Sequence, residues 1–255
     1  MKIKKILVSQ PEPASEKSPY HELAQKNNLQ IDFRPFIHVE GVPCKEFRQT
    51  KIDILEHSAI IFTSKTAADH FFRICAELRL TVPDTMKYFC ISESAAFYLQ
   101  KYIVYRKRKI FYGNGTFPNL LEVITKHSDE KYLLPMSDAH KEEVLHSLKR
   151  NKISFTPSIL YRTVASDLSD LSSVNYDILV FYSPSGIKSL LKNFPNFEQN
   201  NTKIASFGAH TANAVKEAGL RLDIMAPMPE APSMTMALDH FICEYNKSNG
   251  KYSKS

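Results

Sequence analysis

The sequence predicts an α/β protein of two flavodoxin-like three-layer lobes with parallel sheets, one inserted in the other and joined to it by a two-strand hinge. Three observations predict it. Asp177 to Gly219 reads as two strand-turn-helix units in series, DILVFYSPSGIKSLLKNF and, after a polar break, KIASFGAHTANAVKEAG. Their apolar runs, Ile178 to Phe181 and Ile204 to Phe207, are too short for helices, and continuous apolar strands feeding helices argue for a parallel sheet with helices packed on it. The same two units occur earlier, at Ala59 to Ala68 and at Tyr88 to Ala96, which is an internal duplication. Finally, 255 residues suit two domains of ordinary size.

The elements follow in order. Lys2 to Ser9 is a strand broken by Pro11 and Pro13; Ser18-Pro19 starts a helix through Lys26, closed by Asn27-Asn28. Leu29 to Phe33 is a second strand, and Pro35 interrupts the chain before Ile37 to Gly41, the first crossing between lobes. Cys44 to His57 is an amphipathic helix or loop-helix, followed by the first duplicated unit, whose helix carries Ala67, Ala68, Phe71, Phe72 and Cys75. Tyr88 to Ile91 leads through Ser92-Glu93-Ser94 into a helix from Ala95 to Tyr102. Next come a basic strand Arg108 to Phe111, a Gly113-Asn114-Gly115 turn, a helix from Phe117 to Lys126 and a strand Lys131 to Pro135. Ser137-Asp138 caps a helix from His140 to Arg150, and Ile153 to Tyr161 returns extended, completing a five-strand lobe. Polar Thr163 to Ser173 is the second crossing. Beyond the two opening units, Ile224 to Pro232 is extended, Ser233 caps a last helix to Glu244, and the polar tail from Asn246 to Ser255 is frayed. The amino-terminal piece is too small to fold alone, so it packs with the carboxyl-terminal units. One lobe is then 1–37 plus 166–255, the inserted lobe 41–160, with crossings near 38–40 and 161–165. Such a hinge can close a cleft on a ligand.

Hydrophobic content of 43% and charged content of 24% are those of a soluble globular chain. The basic amino terminus has too short an apolar run for a signal peptide, and no run reaches transmembrane length, so a cytoplasmic protein away from membranes is expected. The four Cys and nine His lack metal-site or redox spacing, and the seven Gly form no nucleotide-binding fingerprint. The reading is a protein with no cofactor and no metal. A net charge of +6 and the run Arg106-Lys107-Arg108-Lys109 suit an anionic partner, a polycarboxylate or a nucleic acid. Nucleic acid is not expected, because no recognised binding motif accompanies the run, which also fits a solvated basic edge strand. With no signal for assembly, the chain is taken as a monomer.

In each duplicated unit a hydroxyl-rich turn sits at the carboxyl end of a strand, where open α/β sheets bind ligands. Ser64, Ser183 and Thr211 are thereby candidates for a site; equally, they are residues that cap helices.

The order and spacing of several segments carry a resemblance across almost the whole chain. They are Ile6-Leu7-Val8-Ser9-Gln10-Pro11, Ile61-Phe62-Thr63-Ser64, Leu134-Pro135 with Ser137-Asp138, and Tyr161-Arg162-Thr163. Phe181-Tyr182-Ser183-Pro184-Ser185-Gly186, Phe207-Gly208 with Thr211-Ala212, and Ala226 to Pro229 complete the set. Together they resemble the uroporphyrinogen-III synthase family, cofactor-free lyases that cyclise the linear tetrapyrrole hydroxymethylbilane in haem biosynthesis. The chain departs from the family pattern at Ser9-Gln10-Pro11, where Thr-Arg-Pro is common, and at Ser92 to Ala96, where a Gly-x-x-Thr-Ala turn is common. The resemblance implies loss of the terminal hydroxyl as water, attack of the last pyrrole's substituted carbon on the resulting azafulvene, and a spiro intermediate that recloses with that D ring inverted. Unassisted closure runs end to end without inversion, so the implied task is to hold a folded substrate. It further implies Tyr161 as hydrogen-bond donor or weak general acid toward the leaving hydroxyl. Thr63, Ser64, Ser92, Ser183, Ser185 and Thr211, with the amides of Gly186 and Gly208, would hold acetate and propionate groups; Lys65, Lys188 and Lys203 are lesser candidates. The other reading is a non-catalytic two-lobe protein that binds a tetrapyrrole-like small molecule or regulates through it.

Overall fold

The computed structural model describes residues 2–15, 17–140, 142–172 and 174–250. Its chain divides into two units, one of Met1–His38 with Val164–Ser255 and one of Val39–Thr163. The first segment forms β1 (Lys5–Val8), α1 (Pro19–Asn27) and β2 (Gln30–Phe33). Then β3 (Ile37–Gly41) carries the chain into the second unit, which contains α2 (Cys44–Gln49), β4 (Ala59–Phe62), α3 (Lys65–Glu77), β5 (Lys87–Cys90), α4 (Glu93–Tyr98), β6 (Ile110–Tyr112), α5 (Phe117–Thr125), β7 (Tyr132–Ser137) and α6 (Glu142–Arg150). The return strand is β8 (Phe155–Ala165), followed by β9 (Ile178–Phe181), α7 (Pro184–Asn193), β10 (Lys203–Phe207), α8 (Ala209–Glu217), β11 (Ile224–Ala226) and α9 (Met234–Gly250).

The first unit's sheet runs β11-β10-β9-β1-β2, parallel throughout, the flavodoxin-like order. The second unit's runs β3-β8-β7-β4-β5-β6, parallel from β8 to β6. If β9 is matched with β4, the two five-strand parallel orders are the same in space. They differ in where the chain enters: β1 and β2 stand in one sheet where β7 and β8 stand in the other. The strand order reverses direction between β1 and β9 in the first unit and between β4 and β7 in the second.

Side-chain alternation makes each sheet the middle of three layers. In β4, Ile60 and Phe62 join the core beneath α3 and α4, while Ala59 and Ile61 join the core beneath α5 and α6. In β9, Ile178 and Val180 face α1 and α9, and Leu179 and Phe181 face α7 and α8. Strands apolar on both faces are what a doubly covered parallel sheet demands.

Several expectations are corrected. The inserted unit has six strands rather than five, because β3 joins the sheet beside β8 instead of serving only as a crossing. Val42 N–H to Leu160 O (2.9 Å) and Ser166 N–H to Phe36 O (2.9 Å) flank this antiparallel pair. The second crossing is likewise more ordered: β8 continues through Ala165 and Leu168 is fully buried. The basic strand is displaced, since residues 107–109 form a turn and the edge strand β6 begins at Ile110. The last helix extends to Gly250, past the expected end at Glu244; the remainder of the tail, 251–255, lies outside the described residues.

Candidate active site

Local chemistry at the strand ends is set by capping. Ser64 ends β4 in extended backbone, and its Oγ accepts from Ala67 N–H at 3.0 Å, opening α3. Ser183 repeats this at the end of β9, accepting from Gly186 N–H at 3.3 Å to open α7. Ser92 opens α4, accepting from Ala95 N–H at 3.3 Å, with Ser94 Oγ 3.1 Å away. Each cap satisfies one of the first-turn N–H groups that a helix leaves without a partner.

All eight predicted binding residues stand at carboxyl ends of parallel strands, in three different conditions. Thr63, Ser64, Ser183 and Ser185 are half-buried, and Ser92 is also partly accessible. Thr211, in the first turn of α8, is only 3% exposed. The two glycines do not offer free amides. Gly186 N–H turns back to Ser183, and Gly208 N–H donates to Ala226 O at 2.6 Å. Their contribution is conformational: Gly208 has φ +85°, which favours glycine, and a Cβ at Gly186 would lie 3.3 Å from Phe181. Of the lysines, Lys65 lies over the Tyr98 ring, whereas Lys203 stands at the amino end of β10, paired with Asp223 at 3.5 Å, and is thus at the wrong end of its strand.

Tyr161 is the residue that brings this chemistry together in the second unit. From β8 its hydroxyl reaches Ser64 Oγ at 3.2 Å, beside the β4/β7 reversal. Asp138, in the turn after β7, brackets it: Asp138 N–H donates to Tyr161 O at 3.1 Å, and Asp138 Oδ1 accepts from Thr163 N–H at 3.2 Å. That pairing accompanies the register shift between Met136 and Ser137.

Sequence reasoning missed two neighbours on α3. The His70 ring stacks on the Tyr161 ring at 5.1 Å and 16°, and Arg73 Nε donates to His70 Nδ1 at 3.2 Å. Burial, and then the Arg73 charge, push the His70 pKa below the ordinary histidine value. The helical spacing Arg73 to Glu77 was the available signal, but it says nothing of the distant Tyr161. In the first unit, Tyr182 beside Ser183 shares a 2.5 Å hydroxyl contact with Tyr20, and burial raises both phenol pKa values.

Among the described residues no cluster of three or more His, Cys, Asp or Glu is arranged to hold a metal ion, and no helix is long and apolar enough to cross a membrane. Within the second unit, half-buried Thr63 and Ser64 beside the hydrogen-bonded Tyr161 phenol make an arrangement that can bind a carboxylate and lend a proton.

No curated protein matches the chain in sequence. The uroporphyrinogen-III synthetase from Helicobacter pylori is similar in structure, with 18% identity, a TM-score of 0.58, and coverage of 95% of this chain and 100% of that one. A mutant uroporphyrinogen III synthase from the extremely thermophilic bacterium Thermus thermophilus is similar at 16% identity and a TM-score of 0.50, covering 96% and 99% of the two chains. These likenesses carry the two-lobe α/β fold. The family model described as uroporphyrinogen-III synthase HemD matches residues 18–236, and the chain therefore belongs to the uroporphyrinogen-III synthase family, enzymes that cyclise hydroxymethylbilane.

Proposed function

We propose that this chain closes hydroxymethylbilane to uroporphyrinogen III by holding the folded substrate, with Tyr161 as the proton donor to the departing hydroxyl. The terminal C–O bond breaks as the phenol's proton passes to the hydroxyl, releasing water and leaving the azafulvene. Attack by the substituted carbon of the D ring forms the spiro intermediate, which fragments and recloses with that ring inverted; a final proton loss restores the aromatic pyrrole and returns the proton to the Tyr161 phenolate. The acetate and propionate groups fall to Thr63, Ser64 and Ser92 in one unit and to Ser183, Ser185 and Thr211 in the other. First-turn amides add favourable partial charge there. Gly186 and Gly208 support this by shaping the turns. The same reading takes the chain to work as a monomer in the cytoplasm.

One observation supports the role of Tyr161 above the other hydroxyls: its phenol is hydrogen-bonded to Ser64 at 3.2 Å, at the end of the central strand beside the chain reversal. A phenol O–H is a hydrogen-bond donor and can supply a proton. Tyr161→Phe is expected to slow isomer III formation by about tenfold, a modest general-acid loss because orientation is shared among many contacts. The check is the steady-state rate on freshly generated bilane. Complete loss of turnover in a folded variant would contradict the shared mechanism, and an unchanged rate would remove Tyr161 from it.

A further inference from the structure

The single bond from Tyr161 to Ser64 does not hold the phenol in place by itself. A lone neutral hydrogen bond competes with water, so a half-buried tyrosine retains freedom to swing. A face packed flat on another ring removes that freedom. His70 supplies the face, and its own ring is fixed from behind. Arg73 Nε donates to His70 Nδ1, which makes Nδ1 the acceptor and leaves the ring proton on Nε2. Arg73 is in turn anchored on three sides: Nη1 donates to Glu77 Oε1 at 2.6 Å, and Nη2 donates to Val42 O at 2.8 Å and to Leu160 O at 3.4 Å. Leu160 immediately precedes Tyr161, so the guanidinium ties α3 to the backbone that carries the phenol. Gly41 completes the seat, because a Cβ there would lie 2.7 Å from the guanidinium.

We propose that His70, oriented by Arg73, is a positioning residue that holds the Tyr161 phenol against Ser64 for proton delivery. This rests on the role of Tyr161 given above. His70 acts through Tyr161, so its removal matters only while the phenol hydroxyl is there to be positioned.

The test combines a double-mutant cycle on kcat for isomer III with fluorine spectra of the protein carrying 3-fluorotyrosine at position 161. His70→Ala is expected to lower kcat about tenfold while KM stays within about twofold, and His70→Phe, which keeps a flat ring, to restore most of the rate. The fluorine resonance should move in His70→Ala and stay near its wild-type position in His70→Phe. In the Tyr161→Phe protein, adding His70→Ala should change kcat no further. Gly41→Ala, which displaces Arg73 without touching His70, provides a second route if His70→Ala folds poorly, with a smaller loss of the same kind. A further tenfold loss in the Tyr161→Phe background, or an unchanged wild-type rate despite a shifted resonance, would overturn the proposal. An unaltered kcat in Tyr161→Phe alone would instead remove the role of Tyr161 on which it rests, and the spectra would still report whether the rings are in contact.

Discussion

Ser64 does two things with one oxygen: it accepts from Ala67 N–H to start α3, and it meets the Tyr161 hydroxyl. Ser183 makes the matching cap at the end of β9. Replacing either by Ala should therefore cost about 1 kcal/mol of stability, but only Ser64→Ala should also disturb the phenol. Denaturant midpoints and the fluorine resonance of 3-fluorotyrosine at position 161, measured on both variants, check this, and an equal shift of the resonance in both would count against it. These serines were legible because a hydroxyl between an apolar strand and a helix is a strong local signal. The destinations of the Gly186 and Gly208 N–H groups were not, since one depends on cap geometry and the other on the neighbouring strand end at Ala226. Cysteine reactivity belongs to this scale too. Burial pushes the Cys75 and Cys90 thiols up to about 12, whereas Cys44 and Cys243 are partly exposed. A thiol reagent should accordingly label Cys44 and Cys243 in the native protein, and Cys75 and Cys90 only after unfolding; fast labelling of all four would contradict the core assignment.

Among the elements, β4 and β9 were readable because four consecutive apolar residues flanked by capping signals leave little choice. Ile61 in β4 is fully buried against the α5 and α6 layer, and Ile61→Ala should destabilise the protein by about 2–5 kcal/mol by loss of burial and a residual cavity. The strand β3 was harder to read. Its middle residues His38, Val39 and Glu40 are exposed, and its place depends on pairing with β8 more than a hundred residues later. The strand expected from Arg108 to Phe111 starts two residues later, at Ile110, because residues 107–109 turn. The contact between α1 and α9 has a pH dependence with a definite sign. Hydrogen bonds from Lys26 and Asn27 hold the Asp239 carboxyl below the usual carboxylate range against a smaller effect of burial. A depressed folded-state pKa contributes stability that is present above the unfolded-state pKa of about 4 and is lost as pH falls through the folded value. Asp239→Asn should thus be less stable than the parent at about pH 6, with the gap closing at about pH 2. A gap independent of pH would contradict the assignment.

At the scale of the whole molecule, the duplication visible in four strand-turn-helix segments corresponds to two sheets with one spatial strand order and two chain entries. Each unit has cores on both faces of its own sheet, and β3 and β8 close the second unit as adjacent strands. A fragment of residues 37–165 should therefore fold alone with a cooperative transition. Product identity decides whether the D ring is inverted: freshly generated hydroxymethylbilane is given to the purified protein without added metal, and the oxidised porphyrin isomers are separated. Mainly isomer III is expected, above the spontaneous isomer I background. Isomer I alone, from folded protein, would contradict it.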